Sequence, residues 1–179
     1  MKNRKRLLIP LSLFIIAAFS GSVLAYMFKQ TDYKENIFIP AQVTCEVKEI
    51  TNADISKKTQ ITVKNTGNIS AYIRVRLVSY WVDEKGIVPK ESHQPSFIVS
   101  EDWIKGSDDT YYYKHPVSPG DETLNLLAES SIIELAEDND GNKQVIEVFA
   151  EAIQIKPLKS VINSWNVILD DSYSISSVL

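Results

Sequence analysis

Cysteine is nearly absent from this chain: Cys45 is the only one among 179 residues. No internal disulfide can form, so a fold of this size must be held by packing. Histidine is almost as scarce. His93 and His115 are the only two, and each lies beside loop-type residues in His93-Gln94-Pro95 and His115-Pro116. Two histidines and a carboxylate can in principle hold zinc, but nothing in this spacing recommends it. The chain also lacks a glycine-rich phosphate loop, a Gly-x-Ser-x-Gly elbow, a Cys-x-x-Cys pair and a His-Glu-x-x-His helix. The usual catalytic kits are therefore missing, and the sequence offers no catalytic residue, cofactor site or metal ligand.

What is present begins with a basic, apolar leader. Lys2, Arg4, Lys5 and Arg6 precede an uncharged run from Leu7 to Phe19, and Val23-Leu24-Ala25 supplies small or modest residues where a signal peptidase reads. We read residues 1–25 as a signal peptide, helical in its apolar part and cut between Ala25 and Tyr26. The competing reading is an uncleaved membrane anchor over residues 7–28, about twenty residues and long enough to cross a bilayer. In both readings the basic residues stay on the cytoplasmic side and everything after Phe28 is exported. Cleavage takes four basic residues and no acidic one, leaving 15 Lys and Arg against 23 Asp and Glu, a formal charge of −8. A domain this acidic argues against a nucleic-acid partner, because that contact needs cations to displace counterions. The mature chain is secreted or held at the cell surface, with membrane contact only through an uncleaved leader.

Beyond the leader, apolar residues recur at a spacing of two between clusters of Gly, Pro, Asn and Asp, the pattern of an all-β domain. Residues 26–40 read as an extended N-terminal segment and 41–157 as the β domain. A first strand over Gln42–Ile50 places Val43, Cys45 and Val47 on one face, which makes Cys45 a small buried hydrophobe, an intermolecular crosslink being the alternative. A second, Thr59–Lys64, turns Ile61 and Val63 inward before the Asn65-Thr66-Gly67-Asn68 turn. Asn68-Ile69-Ser70 also fits a glycosylation acceptor. The strongest strand is Ala71–Val82. Its core face is Ile73, Val75, Leu77, Ser79 and Trp81, while Tyr72, Arg74, Arg76, Val78 and Tyr80 form a second face whose arginines should pair with carboxylates.

Trp103–Tyr113 reads as a hairpin. Its consecutive Tyr111, Tyr112 and Tyr113 cannot all face one core, so at least one is expected on the surface, where an amphipathic ring is tolerated or used at an interface. Glu137–Lys143 is an acidic turn that fails the EF-hand pattern at its first position, Ala136. After Pro157, the apolar residues Val161, Ile162, Trp165, Ile168 and Leu169 fall at helical intervals, predicting a helix over 158–170, with 171–179 left as a polar, Ser-rich tail.

Several of these pieces coincide with one family. The leader ending at Ala25-Tyr26, the Asn36-x-Phe38 segment, Val63-Lys64-Asn65-Thr66-Gly67-Asn68 followed by Ala71-Tyr72-Ile73-Arg74-Val75, and Trp81 resemble exported proteins of the TasA and camelysin type. Trp103–Tyr113 with Pro116-Val117-Ser118-Pro119-Gly120 resembles a clostridial branch of that group. The resemblance implies a Gram-positive source, release by a signal peptidase of the SipW kind, and a jelly-roll or Ig-like antiparallel β-sandwich. It further implies assembly with itself or related subunits into biofilm matrix fibres, through donation of the mature N-terminal segment as a strand. Tyr26, Phe28, Phe38 and Ile39 would be the donor residues, the alternative for the stretch from Tyr26 to Ile39 being that it forms the first edge strand of its own domain. The alternatives are a monomeric surface-binding module that uses its exposed tyrosines, and the secreted metallopeptidase activity ascribed to camelysin-like proteins.

Overall fold

The computed structural model describes residues 39–51 and 56–179. In chain order the elements are β1 (Cys45–Thr51), β2 (Lys57–Asn65), β3 (Ala71–Asp83), β4 (Gly86–Val88), β5 (Trp103–Lys105), β6 (Thr110–Tyr113), β7 (Ile133–Glu134), β8 (Lys143–Gln154), α1 (Leu158–Trp165), β9 (Val167–Leu169) and β10 (Ile175–Val178). Every strand pairing is antiparallel.

Two sheets form a sandwich. The first has the order β1-β2-β7. The second is built on β3, whose thirteen residues pair along nearly their full length with β8, from Ala71 opposite Gln154 to Val82 opposite Lys143. On its other side β3 pairs with β6 at Arg74–Arg76 and with β4 at Trp81–Asp83, and β5 continues outward from β6. Between those two pairings a side chain takes over from a strand: Gln94 Nε2 donates to the Leu77 carbonyl at 2.6 Å.

Alternation explains the core. Ile61 and Val63 of β2 share one buried cluster with Ile73, Val75 and Leu77 of β3, together with Trp103, Tyr111, Tyr113 and Ile146 and the loop and β7 residues Val117, Leu126, Leu127 and Ile133. Burying each such aliphatic side chain stabilises the fold by about 1.5–3 kcal/mol. Ser79 and Trp81, expected on this face, are only half-buried. Ser79 Oγ accepts from Gln144 Nε2 at 2.8 Å, and Trp81 Nε1 donates to the Glu91 carbonyl at 3.1 Å.

Three expectations need correction. The first concerns the C-terminal helix, which ends at Trp165 rather than continuing to residue 170. Asn166 takes the left-handed conformation at φ 52° and ψ 50°, a common helix stop. The apolar positions after it therefore serve a strand: Val167 is buried, Leu169 is half-buried, and Ile168 between them faces out. The second concerns the Ser-rich tail. It is half of a hairpin, with Val178 opposite Val167 and Ile175 opposite Leu169. Asp170 forms the turn by accepting from the backbone N–H groups of Ser172 and Ser174 at 2.8 and 2.9 Å.

The third concerns the tyrosines, all of which are buried: Tyr111 is 2%, Tyr112 3% and Tyr113 7% exposed. Tyr111 and Tyr113 face the main core as alternation requires. Tyr112 faces the opposite side and is covered there by a second small core of Tyr72, Val161, Trp165, Val167 and Ile175. The two faces of β6 are thus both interior.

Candidate functional site

The second face of β3 carries the expected ion pair. Arg74 Nη2 lies 2.6 Å from Glu151 Oε2, directly across the β3–β8 ladder, while Arg74 Cζ stands 4.9 Å from the centre of the Trp165 ring. This is packing at the margin of the second core, with no sign of a reactive arrangement.

The feature that asks for a partner lies on the side of the sandwich where β1 and β8 run past each other. Among the described residues β1 pairs only with β2, and β8 pairs as a strand only with β3, so each leaves one edge open. An open edge presents a row of backbone N–H and C=O groups to any extended chain. Period-two alternation puts Cys45 and Val47 of β1 and Val148, Ala150 and Ala152 of β8 toward the interior. Among the described residues no strand lies across the gap, and these side chains are only partly buried.

Two openings mark the gap. One, of about 450 Å³, is lined by Val43, Thr44, Cys45, Ala150, Glu151 and Ala152. The other, of about 400 Å³, is bounded by Val47, Glu49, Tyr80 and residues 145–148 of β8. The small side chains of Ala150 and Ala152 leave room, and the apolar strip is rimmed by Glu49, Glu147 and Glu151. Burial, with a smaller contribution from the Glu151 carboxylate, pushes the Cys45 thiol up. A raised thiol is a poor nucleophile near neutrality, so this environment makes Cys45 a wall residue.

The backbone entering β1 is fixed by the Asn65–Asn68 turn. The Thr66 and Gly67 N–H groups both donate to the Thr44 carbonyl, at 3.0 and 3.1 Å. Asn68 works from both ends of its amide: Oδ1 accepts from Gln42 N at 2.7 Å, and Nδ2 donates to the Pro40 carbonyl at 2.9 Å. Gly67 is required by this close approach, because a Cβ there would collide with the Gln42 carbonyl oxygen. Residues 40–44 are thereby held along the turn. Of the expected donor residues, Ile39 is exposed, whereas Tyr26, Phe28 and Phe38, together with the Ala25–Tyr26 cleavage site, lie outside the described residues. The burial of Tyr111, Tyr112 and Tyr113 removes the aromatic surface expected of a binding module. Sequence reading did not single out Asn65 and Asn68 as anchors; the Asn-x-Gly-Asn pattern signalled a turn but not what the turn would grip.

Among the described residues no group of three or more His, Cys, Asp and Glu side chains is placed to hold a metal ion. In the acidic turn, Asp138 accepts from Lys90 Nζ at 2.7 Å, Asn142 Nδ2 at 2.8 Å, and the backbone N–H groups of Asn142 and Asp140 at 2.9 and 3.0 Å. Lys90 first, then Asn142, hold the Asp138 carboxyl well below the usual carboxylate range. A depressed folded-state pKa contributes stability that is complete above the unfolded value, about 3.9 for Asp, and is lost as pH falls toward the folded one. Asp138→Asn is therefore expected to lower the urea midpoint at neutral pH, with the gap to the parent protein closing in acid. A gap independent of pH between neutrality and strong acid would remove the ion pair as its cause.

Compared with family models, with curated proteins and with solved structures, the chain shows no significant match to any of them.

Proposed function

We propose that this chain is an exported, non-enzymatic structural protein that assembles by strand addition, as a subunit or accessory of an extracellular fibre of the TasA and camelysin type. The single observation carrying this reading is the pair of open edges on β1 and β8, bordering an apolar strip that is only partly buried. An extended segment laid along either edge would satisfy the free backbone groups of that edge and help to bury Cys45, Val47, Val148, Ala150 and Ala152. Main-chain hydrogen bonds would supply the affinity, and the alternation of the occupying strand its register.

The donor in this reading is residues 26–39 of a neighbouring copy, which carry Tyr26, Phe28, Phe38 and Ile39. Head-to-tail donation is heterologous, and with a rotation that does not close a ring it gives filaments. Under the same proposal the sandwich has jelly-roll or Ig-like connectivity, the leader is removed after Ala25 by a SipW-type signal peptidase, and the mature protein acts outside a Gram-positive cell.

Electron microscopy of the secreted form tests this. Filaments are expected from the parent protein, and none after removal of residues 26–39. Ala150→Lys should also abolish them, by placing a charged chain in the gap, with the parent's circular dichroism spectrum showing that the variant still folds. Filaments that persist in both variants would sink the proposal.

A further inference from the structure

We propose that the uncovered half of the outer face of the β3–β8 sheet is an interface between two copies of this chain, packed face to face. This contact uses a sheet face, away from the β1–β8 gap, and is separate from strand addition.

The helix and the β9–β10 hairpin cover only one end of that face. Tyr72 beneath them is fully buried and Arg74 is half-buried, but Arg76 is exposed, Val78 is 39% exposed and Phe149 49% exposed. The register sets the pattern. Arg74 stands opposite Glu151, Arg76 opposite Phe149, and Val78 opposite Glu147. The first of these rungs closes its own ion pair. The next two leave a cation and an anion on one diagonal, Arg76 and Glu147, and two apolar side chains on the other, Val78 and Phe149. Arg76 donates to the Asp108 carbonyl at 3.3 Å and lies within electrostatic reach of the Asp108 carboxylate, but among the described residues neither Arg76 nor Glu147 has an opposite charge within 4.0 Å.

Symmetry selects the occupant. Face-to-face packing of identical surfaces requires a two-fold axis in the plane of the interface, and four directions can be compared. An axis along the strands places Arg76 over the partner's Phe149 and Glu147 over the partner's Val78. An axis across the strands places Arg76 over the partner's Val78 and Glu147 over the partner's Phe149. Both bury two charges against apolar groups, which is costly. An axis along the Arg76–Glu147 diagonal sets like charges on each other. An axis along the Val78–Phe149 diagonal stacks each apolar side chain on its own copy and brings Arg76 onto the partner's Glu147, twice. The face is therefore its own charge complement in one orientation. With strands about 4.8 Å apart and alternate residues about 6.8 Å apart, that diagonal leans about 35° from the strands. The strands of the two copies then cross at about 70°, near the orthogonal class of sheet packing.

Sedimentation velocity on the secreted protein tests the contact. A reversible dimer is expected, with Arg76→Glu and Glu147→Arg each weakening association by about 100-fold or more through like-charge contact. The double variant R76E/E147R should restore the parent dissociation constant to within a few-fold. Both substituted residues are exposed, and the thermal midpoint of each of the three variants shows whether it still folds, which separates lost pairing from lost folding. A parent protein that stays monomeric at millimolar concentration, single variants that associate like the parent, or a double variant that stays weak would each overturn the proposal. The single variants should still form end-to-end filaments, so failure of strand addition and failure of this contact are read from different experiments.

Discussion

Tyr112→Ala is expected to lower the unfolding free energy by about 3–5 kcal/mol, the range for truncating a buried aromatic ring. The ring is 3% exposed and lies between β3 and the C-terminal cap. Its centre is 5.9 Å from that of Trp165, edge to face at 72°, and Arg74 Cζ sits 5.8 Å away over its plane. Truncation opens a cavity between sheet and helix and leaves the Arg74 guanidinium without one of its supports. Tyr112→Phe separates these contributions. It keeps the ring and removes only the phenolic oxygen that accepts from Arg74 Nη1 at 3.3 Å, so a loss of about 0.5–1.5 kcal/mol is expected. Equilibrium urea unfolding measures both. A Tyr112→Ala loss below about 1 kcal/mol would fit a surface ring and contradict the second core.

The second large effect is expected at Asn65, a fully buried polar residue at the end of β2. Its side-chain amide donates to the carbonyls of Ile69 and Val117, both at 2.9 Å, and its Oδ1 accepts from the Gly67 N–H at 2.9 Å. Its backbone N–H donates to Asp121 and its carbonyl accepts from Gly120. One side chain thus joins the turn after β2 to the 117–121 loop. Asn65→Ala removes all three side-chain hydrogen bonds: the Ile69 carbonyl loses its partner, while the Val117 carbonyl keeps the Ala71 N–H and the Gly67 N–H keeps the Thr44 carbonyl. At about 1–3 kcal/mol for the orphaned carbonyl and about 0.5–1.5 kcal/mol for each of the other two bonds, the expected loss is about 2–5 kcal/mol. Asn65→Asp should be at least as damaging near neutral pH. It matches the native shape but turns a carboxylate oxygen toward two carbonyl oxygens. An aspartate variant as stable as the parent in urea would show that shape, rather than donation, is what matters there.

The elements legible in the sequence were those whose partners lie nearby or whose period is unambiguous. Ile61, Val63, Ile73, Val75 and Leu77 announce their burial by alternation alone, and the 103–113 hairpin by the turn residues at its tip. The Arg74–Glu151 pair was legible as a type, an arginine among carboxylates on a half-covered face. Tyr112 was not, because alternation says which side of a strand a ring occupies and not whether something covers that side. Its cover begins at Leu158, 46 residues further along the chain. The helix end was hidden in one residue: Asn166 in a left-handed conformation switches the next three positions from helix to strand, and the apolar spacing fits both. The β1–β8 gap depends on which strands become neighbours, a non-local outcome that strand patterns do not encode. The expected donor segment lies almost wholly outside the described residues.

The pairing of β3 with β8 also governs the order in which the chain can fold as it is made. Along one edge, β3 from Ala71 to Val82 belongs to a ladder that waits for residues 143–154, so the longest apolar strand emerges with no partner on that side. About 70 residues separate the end of β3 from the end of β8, and at a synthesis rate of about 5–20 residues per second this means roughly 4–14 s of waiting. During that interval Ile73, Val75 and Leu77 are available to any other extended chain. Until then that face has only β2, made before it, and later β6 to pack against, so the sandwich closes only once the last third of the chain has been synthesised.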